Sequence, residues 1–209
     1  DTCQEVSTVM SSAPTVTGLA LDARLQVLYW LDSTTRRLVA GTLSVPPPRN
    51  PPIGPVVEAV STMVEPIELP VGLAMEEGFS AGFEGALFWL DQRTPASLTK
   101  LWLNGSGAVP LVTGGLSSPR AAHYQLGAVY VADRGTGSVV VVEAVSGAYA
   151  VPLFQDDALR PMGVTMRDDV DGRQGLVFDS ITSGAQPTTL GAHLWLIALA
   201  AIAVGWRRR

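Results

Sequence analysis

The chain is expected to fold as an all-β protein: a small or incomplete β-propeller of about four blades, followed by one C-terminal transmembrane helix. Three observations carry that expectation. A short phrase recurs four times, β-prone runs alternate with polar turns and no helical period appears before residue 188, and the chain ends on an uncharged apolar stretch.

The repeated phrase is LYWLD at Leu28 to Asp32, LFWLD at Leu87 to Asp91, VYVAD at Val129 to Asp133 and LVFD at Leu176 to Asp179. Each copy follows a shorter phrase: Gly18-Leu19-Ala20, Gly72-Leu73-Ala74, Arg120-Ala121-Ala122 and Met162-Gly163-Val164. Asp32 to Asp91 is 59 residues, Asp91 to Asp133 is 42 and Asp133 to Asp179 is 46. A period near 45 with one lengthened interval is that of a propeller blade.

Strands are placed in order by β-branched and aromatic content and by the turns between them. The first unit has Leu19 to Asp22, Val27 to Leu31 and Arg37 to Leu43, with Val6 to Met10 as a candidate outer strand. Residues 45–55 then carry Pro46, Pro47, Pro48, Pro51, Pro52 and Pro55, which cannot donate ladder hydrogen bonds. This insertion accounts for the long first interval. Strands resume at Val56 to Met63, Val71 to Met75, Ala86 to Leu90, Leu98 to Leu103 and Val109 to Val112. The third unit supplies Ala121 to Tyr124, Ala128 to Ala132, Ser138 to Glu143 and Tyr149 to Phe154, with Gly135 and Gly137 at a turn expected to need positive φ. The fourth has only Gly163 to Arg167 and Leu176 to Phe178, joined through the hairpin signal Asp171-Gly172.

GLALD, LYWLD and RRLVAGTL in the first unit, and PVGLAM, LFWLD and LTKLWLNGS in the second, resemble the YWTD repeat, the low-density-lipoprotein receptor class B repeat of extracellular β-propellers. The resemblance covers Thr17 to Ser180 and weakens in the third and fourth units. It implies a propeller that binds extracellular ligands. The family's threonine is replaced by Leu31, Leu90 and Ala132, and the family's six blades exceed the four found here. The ring therefore either closes small, with Val6 to Met10 completing the last blade, or stays an open arc whose edges a partner covers.

The C-terminal stretch 188–206 contains no Asp, Glu, Lys or Arg over 19 residues. As a helix it would span roughly 28 Å, close to a hydrocarbon core. Leu194 lies in its apolar centre, Trp195 and Trp206 bracket that centre, and Arg207, Arg208 and Arg209 form a positive-inside stop. Gly191, Ala198, Ala201 and Gly205 offer small faces for packing on another membrane helix. The alternatives are a buried core helix and a processed glycolipid-anchor signal, both disfavoured by the terminal arginines. Residues 1–182 are thus expected outside the cell, 183–187 as a linker, 188–206 in the bilayer and 207–209 in the cytoplasm, at the plasma or ciliary membrane. Asn104-Gly105-Ser106 is a glycosylation sequon on a turn, and Cys3, the lone cysteine, is a candidate for an intermolecular disulfide or a free thiol.

Net charge is −5, and Lys100 is the single lysine. Without a basic stripe, nucleic acid is excluded as a partner. Asp32, Asp91, Asp133 and Asp179 could be converging carboxylates, but a residue coded by the repeat more often bonds backbone within its own blade. Asp168, Asp169 and Asp171 fail the spacing of a calcium loop, and the two histidines, His123 and His193, with one cysteine do not make a zinc site. Trp30 and Trp89 are expected on the repeat's inner strand, in the core. No catalytic residue, cofactor or metal is assigned. The expected function is a single-pass membrane accessory or adhesion protein that anchors a larger membrane or extracellular protein complex. In layout alone it is similar to the small subunit of a ciliary polycystin-type channel attached to extracellular fibres. The alternatives are an extracellular propeller hydrolase or lactonase-like enzyme and a receptor-like ligand-binding module.

Overall fold

Alternating apolar and polar residues produce fourteen strands in a computed structural model that describes residues 15–44, 56–80, 83–147, 150–155, 160–168 and 174–180. β1 (Val16–Asp22), β2 (Val27–Asp32), β3 (Arg37–Ser44) and β4 (Val56–Val64) form one antiparallel sheet in chain order. β5 (Pro70–Ser80), β6 (Phe83–Asp91), β7 (Ser97–Trp102) and β8 (Gly107–Thr113) form the second. β9 (Pro119–Gln125), β10 (Ala128–Asp133), β11 (Ser138–Glu143) and β12 (Ala150–Gln155) form the third. β13 (Pro161–Asp168) and β14 (Gln174–Ser180) make a hairpin. The repeat thus builds three four-stranded blades and a two-stranded fourth. The proline-rich segment separates β3 from β4, and β4 still pairs with β3 to finish the first blade.

The first strands of successive blades lie side by side, β1 on β5, β5 on β9 and β9 on β13. Glycine makes that approach possible. A Cβ on Gly18 would sit 2.8 Å from the Leu73 backbone nitrogen, and one on Gly72 would sit 3.1 Å from Ala121 Cα. The repeated GLA phrase is therefore a requirement of blade contact. Trp30 and Trp89 are in the core, at 4% and 5% exposure, but on the second strand of each blade, because the GLA strand takes the inner place.

Three apolar layers separate the blades. Tyr29, Leu31, Leu38, Leu73, Leu87 and Trp89 fill the first interval. Phe88, Leu90, Leu98, Val129, Val131 and Val142 fill the second, and Tyr130, Ala132, Val139 and Val164 the third. The places where the repeat lacks the family's threonine are buried core positions: Leu31, Leu90 and Ala132 are each fully enclosed. An apolar side chain there packs against a neighbouring blade where a hydroxyl would need a hydrogen-bond partner.

All four blades share one register irregularity near the start of the inner strand. Asp32 pairs with Val16, Asp91 with Pro70 and Asp133 with Pro119, each followed by a shift. In the fourth blade the residue paired with Pro161 is Ser180, and Asp179 pairs with Gly163. Ser180 therefore occupies the repeat's aspartate position. Asp179 corresponds instead to Leu31, Leu90 and Ala132, which corrects the fourfold aspartate pattern read from the sequence.

Cys3, Gly191, Leu194, Trp195, Ala198, Ala201, Gly205, Trp206 and Arg207 to Arg209 lie outside the described residues, as do Val6 to Met10, 45–55 and the Asp171-Gly172 turn. Among the described residues no helix is long and apolar enough to cross a membrane.

Candidate binding face

The aspartates that close the repeated phrase define one end of the blades. Asp32 accepts hydrogen bonds from the Thr34 and Thr35 amides at 2.8 and 3.1 Å and from the Thr35 hydroxyl. Asp91 accepts from the Leu69 and Arg93 amides, both at 3.0 Å. Asp133 accepts from the Ser117 and Ser118 amides at 2.8 and 2.7 Å, the Gly135 amide at 3.1 Å and the Thr136 hydroxyl at 3.0 Å. These three carboxylates do not converge. Each is buried and ties the turn after its strand, or the segment entering its blade, to its own sheet, so the repeat codes a clamp. At Asp32 burial alone would raise the carboxyl, but the Thr35 and Thr34 hydrogen bonds and nearby Arg37 outweigh it and hold it below the ordinary carboxylate range.

The same end carries the contacts between neighbouring blades. The Arg36 carbonyl accepts from the Ile67 amide at 2.8 Å, and Thr17 donates to the Pro70 carbonyl at 2.8 Å. Gln92 donates to the Pro119 carbonyl at 2.6 Å and to the Ser118 hydroxyl at 3.3 Å. The turn after Asp133 also presses on its neighbours. A Cβ on Gly135 would sit 2.4 Å from Ser117 Oγ, so Gly135 is required by close approach, and only Gly137 adopts positive φ, at 63°.

Beside that turn, Ser118, Arg120, Arg134, Gly135 and Arg160 line a cleft of about 280 Å³. Arg134 and Arg160 are exposed and Arg120 is half-buried, with its Nε enclosed and without a hydrogen-bond partner. Among the described residues no carboxylate lines the cleft. Asp133, just beneath the turn, is engaged by backbone amides. Along the chain these arginines do not cluster, since they are up to 40 residues apart (120 to 160). A signal was nevertheless present at the repeat landmarks. The residue after the clamp aspartate is Ser33, Gln92 and then Arg134; the one after the first residue of the inner strand is Thr17, Val71 and then Arg120.

A second polar group is sealed between the second and third blades. Lys100, 2% exposed, places Nζ 2.9 Å from the Ala144 carbonyl, 3.5 Å from Glu76 Oε2 and 3.6 Å from the centre of the Trp102 ring. The Tyr124 hydroxyl donates to the other Glu76 oxygen, and the Tyr124 ring stacks on Phe88 at 5.4 Å. Burial lowers the Lys100 pKa, partly offset by Glu76, and burial with the Glu76 contact raises that of Tyr124. This network bridges two blades through charge and aromatic contact.

The other expected residues are dispersed. Asn104 is exposed at the β7–β8 turn, its side-chain oxygen accepting from the Ser106 amide at 2.9 Å. His123 lies half-buried on β9 with Nε2 enclosed and unpartnered; burial lowers its pKa, against a hydrogen bond with Gln125.

The fold class defined by these blades is a β-propeller, with three four-stranded blades and a two-stranded fourth among the described residues. No family model and no curated protein matches the chain. Among solved structures it is similar to a chain of the nidogen/laminin complex, with a TM-score of 0.60 and 21% identity over 80% of this chain and 58% of that one. It is also similar to the hydrazine synthase of Kuenenia stuttgartiensis, with a TM-score of 0.56 and 13% identity over 88% of this chain and 46% of that one. The chain therefore spans about half to three fifths of the length of these structures. At such identities the likeness establishes the fold alone.

Proposed function

We propose that the chain is a cell-surface, single-pass membrane accessory protein, without enzymatic activity, whose propeller arc binds and anchors a larger membrane or extracellular protein complex. One observation carries the binding role. On the outer face of the first blade, Leu19, Leu21 and Val60 are 59%, 47% and 59% exposed. Leu19 is the repeat equivalent of Leu73, which the first blade buries to 7% exposure. The occupant proposed for the outer face is an apolar β-sheet face of a partner protein, because a sheet face of that kind covers the equivalent position one blade on. The neighbouring fold in the nidogen/laminin complex supports a propeller in a protein–protein assembly.

The membrane placement rests on the apolar 188–206 segment, and glycosylation on the exposed Asn104 turn. The narrower form, a polycystin-type channel subunit, rests on layout alone. Purification of the full chain in mild non-ionic detergent, followed by mass spectrometry, should recover a stoichiometric partner that the Leu19→Glu/Leu21→Glu variant loses. A lone monomer would overturn the accessory role, and capture unaffected by the variant would overturn the assignment of the face.

A further inference from the structure

We propose that the cleft lined by Ser118, Arg120, Arg134, Gly135 and Arg160 is a recognition site for a carboxylate group on a partner polypeptide. The inference rests on the protein-binding function above and specifies the chemistry of a second contact, on the loop end of the third blade and away from the apolar face of the first.

Charge provides the first argument. The chain carries 14 basic residues and a net charge of −5, yet three arginines meet in one cleft with no carboxylate among the described residues that line it. Among the described residues none of the three makes an ion pair, whereas Arg37 pairs with Glu65 at 2.6 Å and Arg93 approaches Asp91 at 3.8 Å. Holding like charges together without a counter-ion is unfavourable in the free protein, and an incoming anion relieves it. Arg120 adds an enclosed Nε donor with no acceptor, a deficit that an anionic oxygen within its reach would remove.

Donor geometry is the second argument. Guanidinium groups present paired N–H donors that match the two oxygens of a carboxylate. Ser118 can add another donor: its oxygen accepts from Gln92 at 3.3 Å, which leaves its own proton available to the cleft. The clamp positions the rim, since Asp133 holds the Ser118 and Gly135 amides at 2.7 and 3.1 Å and so fixes both walls before any ligand arrives.

The extent of the charge selects the ligand. A sulfated glycan or another extended polyanion needs a basic track, and the acidic chain has its single lysine buried at 2% exposure. A cleft of about 280 Å³ takes one side chain. The departure from the repeat points the same way, because Arg120 and Arg134 stand where the first two blades have Thr17 and Val71, and Ser33 and Gln92. A structural requirement of the blade would have appeared in all of them.

The test is titration of the full chain in non-ionic detergent with a tetra-aspartate peptide, inorganic phosphate and a heparin hexasaccharide. The peptide should bind saturably, and the Arg134→Gln/Arg160→Gln variant should bind it at least tenfold more weakly. Arg37→Gln, which alters an arginine outside the cleft, should bind like the wild type. Both altered cleft residues are exposed, and an unchanged thermal transition would show that the fold is intact. No saturable peptide binding, equal binding by the cleft variant, or a preference for phosphate or heparin would each overturn the proposal. Partner recovery that survives while the peptide fails to bind would sink the cleft assignment and leave the accessory function standing.

Discussion

Leu19 in the first blade and Leu73 in the second occupy the same place in the repeat, next to the glycine that lets inner strands approach, yet one is 59% exposed and the other 7%. Their local sequences are nearly identical. At this inner-strand position burial therefore follows from having a preceding blade, whereas Trp30 and Val39, farther out on the same face of the first blade, are 4% and 6% exposed without one. The second blade has a neighbour on each face, with Leu87 and Trp89 in one layer and Phe88 and Leu90 in the other. Among the described residues the first blade has one such layer, toward the second blade.

The largest loss of stability is expected in the doubly covered blade. Phe88 is fully enclosed and stacked on Tyr124, so Phe88→Ala removes a ring from between two blades whose packing cannot fully collapse around the void. Denaturant unfolding should show a loss of about 3–5 kcal/mol. A loss below 1 kcal/mol would mean that the second and third blades are not packed through this layer.

Next is the clamp. Asp133→Ala strips the acceptor from the amides of Ser117, Ser118 and Gly135, on a rim where Ser117 leaves no room for a side chain at position 135. The same unfolding measurement should register about 2–4 kcal/mol. The variant should also weaken peptide binding in the arginine cleft. Gly72→Val tests the inner-strand contact itself, because its first added carbon meets Ala121 Cα at 3.1 Å and the Ala122 nitrogen at 3.2 Å. A cost of about 1–3 kcal/mol is expected from backbone that must move. Gly105→Val lacks such neighbours and meets only the strain of its positive φ, so it separates the two causes.

Much of this architecture was legible. Val27 to Leu31, Ala86 to Leu90 and Ala128 to Ala132 emerge as second strands because alternation, β-branching and aromatic content all agree there, and the turns beside them carry glycine or polar residues. The fourth aspartate was misread because a one-residue register difference leaves no mark on composition; only pairing shows Ser180 opposite Pro161. The inner place of the GLA strand was hidden for a related reason, since in the second blade both Leu73 and Trp89 are apolar and buried, and which strand lies innermost depends on contacts between blades. The arginine cleft was the least visible, because it joins residues from three chain segments and reveals itself only when each repeat is compared position by position.

His123 sharpens the comparison through pH. Burial lowers its pKa against the Gln125 hydrogen bond, so the folded imidazole stays neutral at a pH where the unfolded one, near 6.5, accepts a proton. The unfolded state then binds more protons, and stability falls as pH drops below about 6.5 until the folded His123 itself protonates. Asp32 and Glu143, held low despite burial by their hydrogen bonds, add their own loss only in the carboxylate range. His123→Phe should flatten the stability profile just below about pH 6.5, and an unchanged slope would show that the imidazole is already solvated.

The smallest effect belongs to the exposed inner strand of the first blade. Leu19→Ala removes the same atoms as Leu73→Ala, but most of Leu19 already meets solvent, so little transfer free energy is lost and no closed cavity forms. In the isolated chain the change should stay within about 0.5 kcal/mol, while Leu73→Ala should cost about 2–5 kcal/mol. The two values should draw together once the proposed partner is bound. An interface that covers Leu19 makes its truncation felt as weaker association, measured as a faster dissociation rate of the complex. If dissociation of the purified complex is unchanged by Leu19→Ala, the partner occupies a different face and the equivalence of the two leucines ends at the sequence.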